Sequence, residues 1–209
     1  MATAWLAGAT GLVGGVLLRE LLDDAHFQVI VSFGRRPVPI QHPKLVQVET
    51  DFVAVSVFDG VAAPSVAFSC LGTTLRKAGS REAFRKVDHD AVLAFAAAAR
   101  RRGAQAFLHV SSLGANVRSR AFYSAVKGET ERDVARLGFP SVHALRPSIL
   151  DGDRQESRPA ERLGLGVGRA LAPLLGKYRP TPVTTVAGAM IARARSPSPG
   201  VHAIEPDEM

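Results

Sequence analysis

The residues able to do chemistry fall into two groups. Tyr123, one of only two tyrosines, stands four positions before Lys127 in the run YSAVK. Residues four apart share one face of a helix. A phenol ionises unaided near pH 10. An ammonium about 4 Å away favours the ionised form by on the order of 4 kcal/mol at an effective dielectric near 20, before desolvation takes some back. A phenol so placed can pass a proton to a carbonyl oxygen. Eleven residues upstream lies Ser112, within Ser111-Ser112-Leu113-Gly114. Its hydroxyl, in preference to that of Ser111, is suited to hold the same substrate oxygen.

The second group opens the chain. Gly8-Ala9-Thr10-Gly11-Leu12-Val13-Gly14 follows a short apolar run and precedes a helical one. This is a variant of the dinucleotide-binding loop. Its glycines permit a tight turn, close approach of a pyrophosphate, and packing of helix on strand. The helix N-terminus offers N–H groups and a partial positive charge to the phosphates. An NAD site places a carboxylate about 20 residues further on, at the end of the second strand. Here that position reads Gly34-Arg35-Arg36, and no acid lies between Asp24 and Glu49. Guanidinium groups pair with phosphate and stack on adenine. The expected cofactor is therefore NADP(H), with Lys127 also holding the nicotinamide ribose. Asp51, followed by Phe52 after the third strand, is either a partner of the adenine amino group or a cap or turn residue. Leu71-Gly72-Thr73 passes beside the pyrophosphate and ribose, and Thr74 adjoins the substrate. Cys70, just before, reads as a small buried hydrophobe and not as a nucleophile.

These groups need a scaffold that brings them to one edge. Short β-like runs alternate with helical ones. Strands are expected at Thr3–Ala7, Gln28–Phe33, Leu45–Val48, Ser65–Cys70, Ala106–Val110, Val142–Leu145 and Val201–Ile204. Helices are expected at Gly14–Leu22, Ala83–Arg101, Tyr123–Leu137, Glu161–Leu175 and Thr184–Arg195. Such alternation predicts an α/β fold, a Rossmann-type doubly wound parallel sheet whose crevice lies at the carboxyl ends of the strands. Residues 1–209 read as a single domain, with 148–182 as a small substrate-side cap. In that cap Arg154 and Arg158 either hold an anionic substrate group or form an internal salt-bridge network. The Gly164–Gly168 run follows no strand and is not read as a second phosphate loop.

Composition narrows the function. Hydrophobic residues make up 46% and charged residues 22%, a globular balance. No apolar run approaches the roughly 18–20 residues of a membrane span. The opening residues lack the basic start of a signal peptide. One cysteine allows no internal disulfide; a cytoplasmic setting fits these features. The net charge of +7 is scattered. Its densest run, Arg100 to Arg102, suits a helix end, and the aromatics do not interleave with it, so nucleic acid is not the expected partner. The six histidines lack metal-ligand spacing, and no metal is expected. The expected partners are a small carbonyl substrate and at most a second copy of the chain.

The stretches GATGLVG, GRR, CLGTTLRKAGS, FRKVDHDAV, SSLGA, FYSAVKGETE and LRPSILDGDRQESRP together resemble the short-chain dehydrogenase/reductase superfamily. Within it they resemble the atypical branch typified by the Tat-interacting oxidoreductase of animals. The resemblance implies NADPH on a Rossmann fold, Ser112, Tyr123 and Lys127 in the catalytic roles, and Pro147 and Ser148 flanking the nicotinamide. The wider superfamily often adds a proton-relay asparagine on the helix before the fifth strand. This chain has one asparagine, Asn116, which lies elsewhere, and Asp88 stands closest to the relay position. Three functions follow: an NADPH-dependent reductase of aldehydes, ketones or quinones; an NADP(H)-binding redox-sensing regulator; and a sugar-nucleotide epimerase or dehydratase. The intact Ser–Tyr–Lys set favours the first over the second. The short C-terminal part disfavours the third.

Overall fold

The computed structural model describes residues 2–53, 58–151 and 179–209. Seven strands form one wholly parallel sheet: β1 (Ala2–Ala7), β2 (Phe27–Gly34), β3 (Leu45–Glu49), β4 (Val66–Ser69), β5 (Ala106–Val110), β6 (Ser141–Leu145) and, later in the chain, β9 (Gly200–Ile204). Their spatial order is β3-β2-β1-β4-β5-β6-β9. The order reverses between β1 and β4, which puts the crevice of a doubly wound sheet beside the glycine loop. Two short strands, β7 (Leu150–Asp151) and β8 (Thr181–Pro182), pair separately.

Alternation along the strands builds two cores. Ala4 and Leu6 of β1, Val66 and Phe68 of β4, and Ala106 and Leu108 of β5 face one layer. Helix α1 (Leu12–Asp23) covers it with Leu17, Leu18, Leu21 and Leu22. Helix α6 (Val183–Arg195) adds Val186, Met190 and Ile191. The intervening strand positions, Trp5, Ala67 and Phe107, face the other layer. There Phe95 lies 5.6 Å from Phe33, 6.2 Å from Trp5 and 6.2 Å from Phe107, ring centre to ring centre. Each such buried ring contributes roughly 1.5–3 kcal/mol by leaving water.

The helix expected over Ala83–Arg101 is not uniform. It comprises α3 (Arg81–Arg85), one π turn (Lys86–Asp90) and α4 (Ala91–Arg101). Ser80 caps its start, accepting from the Ala83 N–H at 3.0 Å. The π turn buries Asp88 and His89 together. Its altered carbonyl pattern is met from outside: the Thr130 hydroxyl, on α5 (Phe122–Ala135), donates to the Asp88 carbonyl at 2.9 Å. A further short helix, α2 (Leu75–Ala78), lies outside the helices expected from the sequence. Thr74 caps it and Gly79, at φ 80°, ends it, a start-and-stop signal compressed into six residues. The expected helix Glu161–Leu175, the Gly164–Gly168 run, and Arg154 and Arg158 lie outside the described residues.

Candidate active site

The carboxyl ends of β1, β4 and β5 lie side by side, with Ala7 opposite Ser69 and Ser69 opposite His109. The glycine loop leaves β1 here. Gly8 has φ 88°, and a Cβ on it would stand 2.6 Å from the Cys70 carbonyl carbon. A Cβ on Gly14 would stand 2.1 Å from the Gly8 carbonyl oxygen. Both positions therefore exclude a side chain, and α1 starts tight against the loop. Gly11 caps α1 with no side-chain bond, and the first turn carries no acid. A helix start with neither a capping side chain nor a carboxylate fits a phosphate group. Beyond β2, Arg35 and Arg36 are exposed. The register places Glu49 opposite Gly34, so the neighbouring strand brings an acid near the two arginines that chain distance concealed. Asp51 accepts from the Val53 N–H at 2.9 Å, a turn role. Phe52 takes φ 67°, and its buried ring meets Phe95 edge to face.

Lys127 and Asp88 form the electrostatic centre. The Lys127 Nζ lies 2.8 Å from Asp88 Oδ1, with the two side chains 7% and 1% exposed. Asp88 Oδ2 accepts from the Thr73 N–H at 2.8 Å. Burial pulls the ammonium down, but Asp88, Tyr123 and Glu131 together hold it above its ordinary value. One carboxylate thus fastens both the Gly72–Thr73 loop and the lysine. Tyr123 is half-buried one helical turn before Lys127, and its ring packs 5.5 Å from that of Phe84. The role of Asp88 as counter-ion to Lys127 is what sequence reasoning missed; the chain shows only an acid at the expected relay position.

The two serines separate. Ser111 is buried and donates to Glu131. Glu131 in turn accepts from Arg146, which also reaches Glu205 at 3.2 Å. Hydrogen bonds to Glu131 and then to Glu205 raise the Arg146 guanidinium further above its already high value, against the cost of its burial. Ser112 is half-buried and lines, with Leu113, Gly114, Arg146, Ser148, Ile149 and Glu205 among the described residues, a cavity of about 460 Å³. The Leu113 N–H donates to the Pro147 carbonyl at 2.9 Å, tying the serine loop to the segment after β6. The Ser148 hydroxyl donates to the Arg179 carbonyl, and its N–H donates to Thr181 Oγ1 at 3.2 Å. Thr74 serves as the α2 cap, accepting from the Lys77 N–H at 3.1 Å.

Two groups sit beside this centre without charge, the buried His109 and the half-buried Cys70. Burial, then the cations Lys127 and Arg146, pull the His109 imidazole down to about 3. Burial pushes the Cys70 thiol up to about 12, so it is not a thiolate nucleophile at neutral pH.

Similar proteins share this architecture. No protein-family model matches the chain. Protein HTATIP2 of Rattus norvegicus is 37% identical over 202 residues, covering 95% of this chain and 83% of that protein. Protein fmp52, mitochondrial, of Emericella nidulans is 38% identical over 184 residues, covering 85% and 77%. Among solved structures, MoeE5 in complex with UDP-glucose and NAD superposes with a TM-score of 0.73 at 18% identity, over 97% of this chain and 75% of that one. A short chain dehydrogenase family protein from Francisella tularensis superposes at 0.65 and 12% identity, over 100% and 98%. The structural likeness shows the fold of NAD(P)-binding oxidoreductases and epimerases; the sequence likeness shows kinship. The chain belongs to the family of HTATIP2 and the FMP52 proteins, and its motifs resemble the atypical short-chain dehydrogenase/reductase branch.

Proposed function

We propose that this protein is an NADPH-dependent reductase of a small carbonyl compound, an aldehyde, ketone or quinone. The observation that carries the reading is the buried Lys127–Asp88 pair, which also fastens the Gly72–Thr73 loop and lies one helical turn after Tyr123. When bound, the dinucleotide supplies a hydride to the carbonyl carbon. Tyr123 gives its phenolic proton to the carbonyl oxygen, and an alcohol leaves. Ser112 donates a hydrogen bond to that oxygen and keeps it near the phenol. Lys127, charged and fixed by Asp88, holds the ribose hydroxyls and stabilises the phenolate left behind. Gly8, Thr10, Gly11, Leu12, Val13 and Gly14 would hold the pyrophosphate, with Leu71, Gly72 and Thr73 beside it. Pro147 and Ser148 border the nicotinamide, and Asp51 and Phe52 border the adenine.

Arg35 and Arg36 support NADPH over NADH: both are exposed just beyond β2, a strand without an acid of its own, with Glu49 of β3 set opposite Gly34. We place the protein in the cytoplasm, a reducing compartment suited to its single cysteine; recovery with purified mitochondria would contradict this placement.

The test is Tyr123→Phe. NADPH oxidation with a panel of aldehydes, ketones and quinones should stop in the variant, while NADPH affinity by calorimetry stays within a few fold. Turnover that survives the substitution refutes the role of the phenol. Tight NADPH binding by the native protein without turnover of any carbonyl makes it a redox-sensing regulator.

A further inference from the structure

Two chain segments begin at the cofactor or serine loop and end against Tyr123. Residues 71–85 run from the Leu71-Gly72-Thr73 loop to α3, whose Phe84 packs on Tyr123. Residues 111–122 run from the two serines to the first residue of α5. Together these segments hold Arg76, Lys77, Arg81, Arg85, Arg118 and Arg120 against a single acid, Glu82. Glu82 pairs with Lys86, and Arg85 pairs with Glu129. Arg76, Arg81, Arg118 and Arg120 are exposed and make no ion pair among the described residues.

The placement brings these charges onto the segments that flank Tyr123. The Arg81 guanidinium lies over the Phe122 ring at 5.2 Å, and Phe122 immediately precedes Tyr123. The loop carrying Arg118 and Arg120 is pressed onto α5. A Cβ on Gly128 would stand 2.4 Å from the backbone of Asn116 and Val117, and the Asn116 N–H donates to the Ser124 carbonyl at 3.0 Å. The rim around Tyr123 is therefore fixed, and its charge is one-sided. The two cations nearby, the buried Lys127 and the half-buried Arg146, are already neutralised by Asp88, Glu131 and Glu205. What the rim offers a ligand is the exposed set.

We infer that the substrate of this site carries an anionic group, a carboxylate or a phosphate, alongside its carbonyl, and that Arg81, Arg118 and Arg120 receive it. The inference rests on the reductase reading and narrows its substrate class. Charges of this kind concentrate an anion at a cleft and raise its rate of encounter. Guanidinium groups also match carboxylate and phosphate geometry.

The test compares three aldehydes of one framework: 4-formylbenzoate, the neutral 4-formylbenzamide and benzaldehyde. With NADPH at low ionic strength, kcat/KM for the benzoate should exceed that for the benzamide on the order of tenfold, about 1.4 kcal/mol. The ratio should fall toward one near 1 M salt, where screening acts within about 3 Å. In the double variant Arg118→Glu, Arg120→Glu the ratio should drop below one. Both residues are exposed, so their replacement is expected to stay within about 0.5 kcal/mol of native stability, which circular dichroism checks. A second arm needs no turnover: calorimetry with NADPH present should detect 4-(hydroxymethyl)benzoate binding more tightly than 4-(hydroxymethyl)benzamide, and the variant should abolish the difference.

Equal turnover of the three aldehydes overturns the inference and leaves the reductase standing. Absence of turnover overturns the reductase reading, and equal binding in the second arm then overturns the inference as well. A variant that weakens NADPH binding without altering aldehyde preference assigns the arginines to the cofactor and also overturns it.

Discussion

The Asp88–Lys127 pair gives a prediction that depends on geometry alone. Asp88→Ala removes the counter-charge of an ammonium whose side chain is 7% exposed, from a contact of 2.8 Å. At that distance and an effective dielectric near 20, the lost attraction is about 6 kcal/mol. Relaxation and water entry reduce it, and breaking buried pairs typically costs about 3–5 kcal/mol. The Thr73 N–H also loses its acceptor; Thr73 is only half-buried, so this adds about 1 kcal/mol. We expect a total of about 4–6 kcal/mol, a large part of the roughly 5–15 kcal/mol that holds a domain together. Urea unfolding at pH 7 measures it as a shift in midpoint. Lys127→Met in the Asp88→Ala background should recover at least ~2 kcal/mol, because an apolar pair avoids the stranded charge. The pH dependence follows with a definite sign. Without Asp88, burial dominates and lowers the Lys127 pKa in the folded state, although Tyr123 and Glu131 on α5 still favour the charge and His109 on β5 stays neutral. The cost of Asp88→Ala is then largest at neutral pH and shrinks as pH rises toward 10. A loss below about 1 kcal/mol, or strict additivity in the double variant, refutes the reasoning.

Other consequences are simpler to test. Gly14→Ala places a Cβ 2.1 Å from the Gly8 carbonyl oxygen; the loop must shift, costing about 1–3 kcal/mol of stability and weakening NADPH in calorimetry. Arg35→Ala with Arg36→Ala should weaken NADPH on the order of tenfold or more and leave NADH within a few fold; equal losses would assign the arginines elsewhere. His109 is held neutral, its pKa pulled down to about 3. Its contribution is therefore intact above pH 6.5 and lost as pH falls below it, about 2 kcal/mol by pH 5. The urea midpoint of His109→Gln should move that much less between pH 7 and pH 5 than that of the native protein. Phe95→Ala, at the centre of the aromatic layer, should cost about 3–5 kcal/mol of unfolding free energy while the fold persists in circular dichroism.

Sequence patterns locate most of the scaffold. Continuous apolar runs such as Val66–Ser69, and the 3.6-residue spacing in Leu12–Asp23, identify strands and helices within a few residues. Alanine-rich periodicity over Ala83–Arg101 marks a helix but not its π turn, because inserting one residue leaves composition unchanged. Helix α2 is not legible in the sequence because four residues are too short to show a period.

The candidate site divides in the same way. The sequence alone determines the glycine loop, the Tyr123–Lys127 spacing and the arginines after the second strand. Each is a local matter: chain neighbours fix whether a backbone can turn tightly and whether two side chains share a helical face. Only the tertiary structure decides that Asp88 neutralises Lys127 from 39 positions away, and that Ser111 turns to Glu131 while Ser112 lines the cavity. It alone sets Glu49 across from Gly34. Those choices follow from which elements become neighbours, and that is settled by sheet order and by packing of buried faces, to which residues far apart in the chain contribute together.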